Sequence, residues 1–145
     1  MNDNELDALV AQYIFGWAWG TDADSGDRYL IGPEFKDNNG VQWQPTYWPT
    51  RGRSLRHCES NLSLPCYSSN IAAAFQVFKW LMQHGRVWMS NGDGNSCDMD
   101  FVPVGNSADY MHYANISADT YERAIVICAL VAIGVLDGST YENKA

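Results

Sequence analysis

The apolar run at residues 124–133 constrains the fold of this chain more than any other segment. All ten of its residues are apolar, and they lie within a predicted helix at 118–136 that Ser117 or Asp119 can cap. A helix that is apolar on every side must be covered on every side. The run is also shorter than the roughly 20 residues that span a bilayer. We therefore expect this helix to lie at the centre of the fold or against another subunit.

Two further helices are predicted from apolar residues that recur every three or four positions. The first covers residues 4–19, where Gly20 can end it. The second covers residues 68–84, with Ser68, Ser69 or Asn70 as its N-cap and Gly85 after its end. His84 is interpreted as a residue of the helix end. Between these helices, residues 29–67 contain four prolines that forbid a long helix, and short strands are expected at 29–31 and 41–43.

The remaining segments predict an antiparallel sheet. Residues 86–90 and 97–104 are predicted strands, and the Asn/Asp-Gly turns at 91–96 favour a hairpin between them. A third strand is expected at 110–115. Helices that cover an antiparallel sheet give an α+β fold, with the sheet between helices in an α-β-α sandwich. We expect one domain, 1–145, with a long irregular insertion at 20–65 and a polar tail at 138–145.

Charge and cysteine content limit the possible partners and the compartment. The formal net charge is -8, which disfavours long nucleic acid and anionic membrane surfaces. The acidic N-terminus does not resemble a signal peptide, so we expect a cytoplasmic protein. The four cysteines form no CxxC pair, and four free thiols are expected.

One segment, residues 42–57, concentrates aromatic and basic side chains. No Asp or Glu occurs between Asp37 and Glu59. Guanidinium groups bind phosphate through paired donors, and aromatic rings stack on bases. The segment therefore predicts a pocket for a small nucleotide-like anion, formed by Trp43, Tyr47, Trp48, Arg51, Arg53, Arg56 and His57. The alternative is that the aromatic residues fill a core and the arginines pair with surface carboxylates.

Other chemistries have weaker support in the sequence. His57, Cys58 and Cys66, or Cys97 with His112, fit no standard zinc spacing, and we expect no metal. A calcium loop that began at Asn91 would need glycine at its sixth position and an acidic ligand at its twelfth, where this chain has Ser96 and Val102. Asp98 and Asp100 would share one face of a strand, where a solvated face explains them better than acid–base catalysis. We therefore expect no catalytic residue and no cofactor.

Three segments resemble the phage ABA sandwich family of small phage and prophage proteins. They are residues 6–17 (LDALVAQYIFGW), 65–75 (PCYSSNIAAAF) and 118–130 (ADTYERAIVICAL), which resemble the family's opening helix, its entry into the second helix and its closing helix. Their order matches that of the family, and they frame nearly the whole chain. The insertion between Trp19 and Pro65 departs from the compact family pattern. The resemblance implies a helix–sheet–helix sandwich encoded by a phage, and it implies no enzymatic activity.

Some small phage proteins neutralise bacterial immunity by sequestering cyclic nucleotide or cyclic ADP-ribose signals. The resemblance and the basic aromatic segment together suggest a non-enzymatic binding protein of this kind in the cytoplasm of the bacterial host. Such a protein is expected to be a homo-oligomer, because pockets between subunits enclose a ligand well. Two alternatives remain. One is a protein–protein inhibitor or structural phage accessory protein that uses the aromatic loop as its interface. The other is a hydrolase of the same signals.

Overall fold

A computed structural model of the chain describes residues 1–51 and 63–141, and the side chains of Arg51 and Asp93 lie outside that description. The chain divides into two compact units, Asn2–Cys66 and Tyr67–Ala145, with Met1 counted in the second. The single domain expected for residues 1–145 stays a prediction. Helices and antiparallel sheets occur together, which confirms the α+β class.

The first unit begins with helix α1, Asp3–Tyr13. The Asn2 side chain accepts from the Glu5 backbone N–H at 2.9 Å, and the Glu5 carboxylate accepts from the Asn2 N–H at 3.0 Å, which is a capping box. The prediction of a helix to residue 19 is wrong. Gly16 has φ +75, a conformation that ends the helical path, and residues 18–21 are extended instead.

Two small antiparallel sheets follow α1. The first contains β1 (Ala18–Thr21), β2 (Arg28–Ile31) and β5 (Thr46–Tyr47), in the order β1-β2-β5; the second pairs β3 (Phe35–Lys36) with β4 (Gln42–Trp43). The strands predicted at 29–31 and 41–43 are confirmed to within one residue. β1, β3 and β5 were not predicted, so residues 20–51 are more regular than an irregular insertion.

The second unit contains helix α2, Ile71–His84, and its N-cap is Asn70, whose side chain accepts from the Ala73 N–H at 3.1 Å. His84 is the last residue of α2, as interpreted from the sequence. Strands β6 (Gly85–Asn91) and β7 (Cys97–Pro103) form the predicted hairpin. The third strand is wrong in position: β8 is Ala114–Ala118, after a 3-10 helix at Gly105–Asp109. Residues 110–113 connect that helix to β8, and Met111 is buried there.

Helix α3, Tyr121–Ala132, closes the second unit and is shorter at both ends than predicted. Its N-cap is Thr120 rather than Ser117 or Asp119, since the Thr120 hydroxyl accepts from the Arg123 N–H at 3.2 Å. Every residue from 124 to 132 is buried, which confirms that this helix is covered on all sides. α3 packs against β7 and β8, and α2 packs beside α3 and against β6.

The cysteines differ from the expectation of four free thiols. Cys97 and Cys128 are free, whereas Cys66 is in a disulfide. Among the helices of the described residues, none has both the length and the apolar character needed to cross a bilayer.

Candidate functional site

The structure describes only the first part of the predicted site. Trp43 lies in β4 and Tyr47 in β5, and the backbone of Arg51 belongs to a 3-10 helix at Pro49–Arg51. Trp48 lies between β5 and that helix. Arg53, Arg56 and His57 lie outside the described residues. The structure therefore locates the aromatic residues, and the convergence of the basic side chains stays a prediction.

Tyr47 and Trp48 differ in burial because they are consecutive residues at the end of a strand and point to opposite faces. Tyr47 is 6% exposed and pairs across the sheet with Leu30, which is fully buried. Successive strand residues point to opposite faces, so Trp48 lies on the other face and is only half-buried. Of these two neighbours, Tyr47 is thus a core residue and Trp48 is the partly accessible one.

Trp48 packs against Tyr29, a residue that the sequence analysis did not include in the site. The centroids of the two rings are 4.9 Å apart, and their planes are inclined at 49°. Tyr29 lies directly over Gly20, its partner in β1. A Cβ atom at Gly20 would lie 2.5 Å from the Tyr29 ring. Because Gly20 has no side chain, the Tyr29 ring can lie over it and pack against Trp48. We call these two residues the Tyr29–Trp48 pair.

Trp43 is exposed, but its polar edge is already bound. The indole Nε1–H donates to the Asp37 carboxylate at 2.8 Å. Asp37 also accepts from the backbone N–H groups of Asn39 and Val41, each at 2.9 Å, in the β3–β4 turn. The Trp43 hydrogen bond and these N–H groups hold the pKa of Asp37 below its ordinary value. A permanent carboxylate beside Trp43 makes this ring a poorer neighbour for an anion than Trp48.

One basic side chain of the first unit outside the predicted segment also packs on an aromatic ring. Arg28 Cζ lies 4.4 Å from the centroid of the Trp19 ring, and Trp19 Nε1–H donates to Gln12 Oε1 at 3.0 Å. This contact is a cation–π interaction that orders both side chains. Arg28 and Leu30 lie on the same face of β2, and Tyr29 lies on the other. Arg28 therefore belongs to the face opposite the Tyr29–Trp48 pair.

A polar cluster in the second unit contains residue types that a hydrolase could use, namely a histidine, a serine and a tyrosine. His84 Nδ1 lies 2.9 Å from Ser107 Oγ and 3.3 Å from Tyr110 Oη. A nucleophilic serine needs access to its substrate and a base that a third group orients. Ser107 is buried, and its carbonyl accepts from the Tyr110 and Met111 N–H groups. The cluster secures the end of α2 against the 105–109 turn.

The paired aspartates of β7 do not form a solvated face. Asp98 is 5% exposed, because Gly92 leaves space for its carboxylate under the hairpin turn. Asp100 is half-buried and accepts from Tyr113 Oη at 3.1 Å and from the Asn115 amide. The expectation of a solvated face is therefore wrong, and structural hydrogen bonds account for Asp100. Within residues 1–51 and 63–141, no three His, Cys, Asp or Glu side chains are grouped to hold a metal ion.

Comparisons with known proteins show a likeness of fold. No protein-family model and no curated protein matches this chain. The 2.0 Å crystal structure of a phage protein from Bacillus cereus ATCC 14579 is similar, with 20% sequence identity and a TM-score of 0.51. The similarity covers 91% of this chain and 92% of that protein. At this identity, the two proteins share a fold.

Proposed function

We propose that this chain is a phage-encoded binding protein that sequesters a small, anionic, nucleotide-like signal of bacterial immunity, such as a cyclic nucleotide or a cyclic ADP-ribose derivative. One observation carries the proposal. The Tyr29–Trp48 pair is a half-buried aromatic surface, and its Trp48 lies in the chain shortly before the basic residues Arg51, Arg53, Arg56 and His57.

The chemistry of this segment suits a nucleotide. Two inclined rings provide a surface on which a base can stack, an interaction worth about 1 to 3 kcal/mol per base in nucleic-acid complexes. Arginines bind phosphate oxygens through paired N–H donors. Because the whole chain has a net charge of -8, this local concentration of positive charge favours one small anion over a long polyanion.

Two similarities support the proposal that a phage encodes this chain. The fold is like that of a phage protein from Bacillus cereus, and three segments of the sequence resemble the phage ABA sandwich family. A sequestering protein encoded by a phage would act in the cytoplasm of the host. It would bind its signal without turnover and would need no cofactor.

The proposal is tested with a panel of cyclic dinucleotides, cyclic trinucleotides and cyclic ADP-ribose isomers. Binding is measured by calorimetry, and the complex is then heat-denatured and the released ligand identified by mass spectrometry. Tight binding with recovery of the intact compound supports sequestration. Recovery of a modified compound would instead identify a hydrolase, and no binding across the panel contradicts both.

The proposed residues are tested by paired variants. Trp48→Ala and the triple variant Arg51→Ala/Arg53→Ala/Arg56→Ala are each expected to weaken binding at least tenfold. Tyr13→Ala is the control for loss of an exposed aromatic ring. The triple variant Lys36→Ala/Lys79→Ala/Arg86→Ala is the control for charge. It also removes three positive charges, but from exposed positions elsewhere in the chain. If both triple variants weaken binding equally, the effect is one of net charge and the site assignment fails.

One observation favours the alternative of a protein-binding loop. Val41 and Trp43 are 48% and 40% exposed at the β3–β4 hairpin, and the Trp43 N–H is already bound to Asp37. An exposed aromatic ring that needs no further polar partner is typical of an interface hot spot. If the chain has this function, the calorimetric panel shows no nucleotide binding, either for the wild type or for Trp43→Ala.

A further inference from the structure

The sheet of the second unit has an open edge. β6 is the terminal strand in the order β6-β7-β8, and no described strand pairs with its outer side. The Val104 N–H donates to the His84 carbonyl at 3.1 Å. His84 and every second residue after it therefore direct their N–H and C=O groups towards β7. By the alternation of an antiparallel ladder, Val87 and Met89 direct their N–H and C=O groups to the open edge.

This edge has few of the features that prevent strand pairing. Natural edge strands are protected by proline, lysine, inward-pointing charges or bulges. β6 has seven residues (GRVWMSN) with no proline and no lysine, and Arg86 is its one charged residue. Its ladder with β7 runs without a bulge from Gly85↔Pro103 to Asn91↔Cys97. The strand is therefore regular enough to accept another strand along its whole length.

Helix α2 has a second apolar side in addition to the side that it buries. Its buried residues are Ala74, Val77 and Leu81. Four large apolar residues at spacings of four, three and four form what we call the α2 stripe: Ile71, Phe75, Phe78 and Met82. Three of them are about half exposed, so the helix presents an apolar patch and not a single exposed side chain.

The α2 stripe lies on the same side of the unit as the open edge. At 100° per residue, the stripe is about a quarter turn round the helix from the Ala74–Val77–Leu81 side, which faces α3 and the sheet. α2 ends at His84, directly before β6 begins at Gly85, and it packs beside α3, which covers β7 and β8. We therefore infer that the chain folds back at Gly85 and that α2 runs antiparallel to β6. The right-handed α-helix fixes the direction of this quarter turn, and the L-residues of β6 fix on which side of the strand the open edge lies. Together they direct the α2 stripe towards the open edge. Met89 extends this apolar surface, since it projects from β6 on the helix-covered face.

We propose that this surface, formed by the α2 stripe and the open edge of β6, binds the same surface of a second copy of this chain. The two β6 strands would pair antiparallel and join two three-stranded sheets into one of six strands. The two α2 helices would lie side by side over the junction. Such a contact is isologous, because each copy offers an unpaired strand and an apolar stripe that need an identical partner.

The available area is consistent with a stable dimer. Ile71, Phe75, Met82, Trp88 and Met89 each expose between 47% and 58% of their surface. At roughly 200 Å² for a large side chain, they offer about 500 Å² of apolar surface per copy. A standard interface buries about 800 Å² per partner, and the backbone edge with its flanking polar side chains supplies the remainder.

Full overlap of the two seven-residue strands fixes the register. The two-fold axis then passes beside Trp88, the middle residue of β6. Val87 and Met89 of the two copies exchange backbone hydrogen bonds. The two Trp88 residues face each other as a non-hydrogen-bonded pair, in which Cα atoms are about 4.5 Å apart. That separation is within the range of a disulfide between cysteines.

The oligomeric state tests the interface. Light scattering after size exclusion, at low to high micromolar concentration, is expected to give twice the mass of the chain. Phe75→Glu/Met82→Glu and, separately, Met89→Pro are expected to give monomers with unchanged circular dichroism. Gln76→Glu/Gln83→Glu adds the same charge to exposed positions on the other side of α2 and should leave the dimer intact. A wild-type monomer, or a dimer that all these variants retain, overturns the proposal.

Cross-linking tests the register without depending on the folding of those variants. Trp88→Cys is expected to form a disulfide-linked dimer under mild oxidation. Val102→Cys is the matched control, because Val102 is exposed on the same face but in the central strand β7. Equal cross-linking at both positions, or none at Trp88→Cys, contradicts the pairing. This surface lies within the second unit and the Tyr29–Trp48 pair within the first, so nucleotide binding and dimerisation can fail separately.

Discussion

At the scale of single residues, neighbours in the sequence have different roles because of the face on which each lies. Tyr47 is buried and Trp48 accessible, although both are large aromatic residues in the same segment. Asp37 and Trp43 are six residues apart and joined by a hydrogen bond across a hairpin. Composition identified this segment as unusual, and the alternation of side chains at β5 decided that Tyr47 is buried and Trp48 half-buried.

Trp43→Phe is expected to raise the pKa of Asp37 towards its ordinary value, because the indole N–H is the largest cause of its lowering. A lowered pKa in the folded state stabilises the protein above the ordinary pKa, and that contribution is lost as pH falls. The pKa is measured by NMR titration of the Asp37 carboxyl carbon. Gln44→Ala, which leaves this contact intact, is the control. An unchanged titration in Trp43→Phe would contradict the assignment.

Burial raises the pKa of the Cys128 thiol to about 12. The unfolded thiol ionises near pH 9 and the folded one does not, so this thiol stabilises the fold below pH 9 and the contribution is lost as pH rises towards 12. The free energy of unfolding of the wild type is expected to fall more steeply over that range than that of Cys128→Ala, by a few kcal/mol in total. Denaturant titrations at several pH values measure both slopes. Parallel slopes would mean that Cys128 does not contribute.

At the scale of elements, caps and turns decided where helices begin and end. Periodicity located α2 and α3, but α1 stops at Tyr13 although Trp17 and Trp19 continue its apolar pattern. A periodic pattern cannot distinguish a longer helix from a helix followed by a strand whose aromatic residues also face a core. The same limit explains β8, which begins four residues after the start of the strand predicted at 110–115.

Thr120→Ala is expected to lower the free energy of unfolding by about 1 kcal/mol, since it removes the side-chain acceptor at the start of α3. Asp119→Ala is the informative comparison, because Asp119 is one of the two caps predicted from the sequence and the structure has Thr120 in that position instead. Thermal and denaturant unfolding of both variants measure the difference. A larger loss in Asp119→Ala would show that the cap is assigned to the wrong residue.

At the scale of the whole molecule, charge limits what the protein binds. A net charge of -8 repels the phosphate backbone of long nucleic acid, despite the basic segment. Electrophoretic mobility assays with long duplex DNA and single-stranded RNA at physiological salt are therefore expected to show no retardation. Retardation that weakens as salt increases would show that the basic segment acts as a polyanion site, and it would contradict the small-ligand proposal.

The sequence by itself determined the features that depend on local pattern. A run that is apolar on all sides predicted a fully buried helix, Asn-Gly and Asp-Gly turns predicted the β6–β7 hairpin, and a helical period predicted α2. Each of these signals acts over a few residues along the chain.

Only the tertiary structure decided which distant residues meet. The absence of a side chain at Gly20 seats Tyr29 against Trp48, and Gly92 makes space for the Asp98 carboxylate under the hairpin turn. Both contacts depend on cross-strand register and on close approach of two backbones. Register is set by pairing between segments far apart in the chain, and no local pattern in either segment specifies its partner.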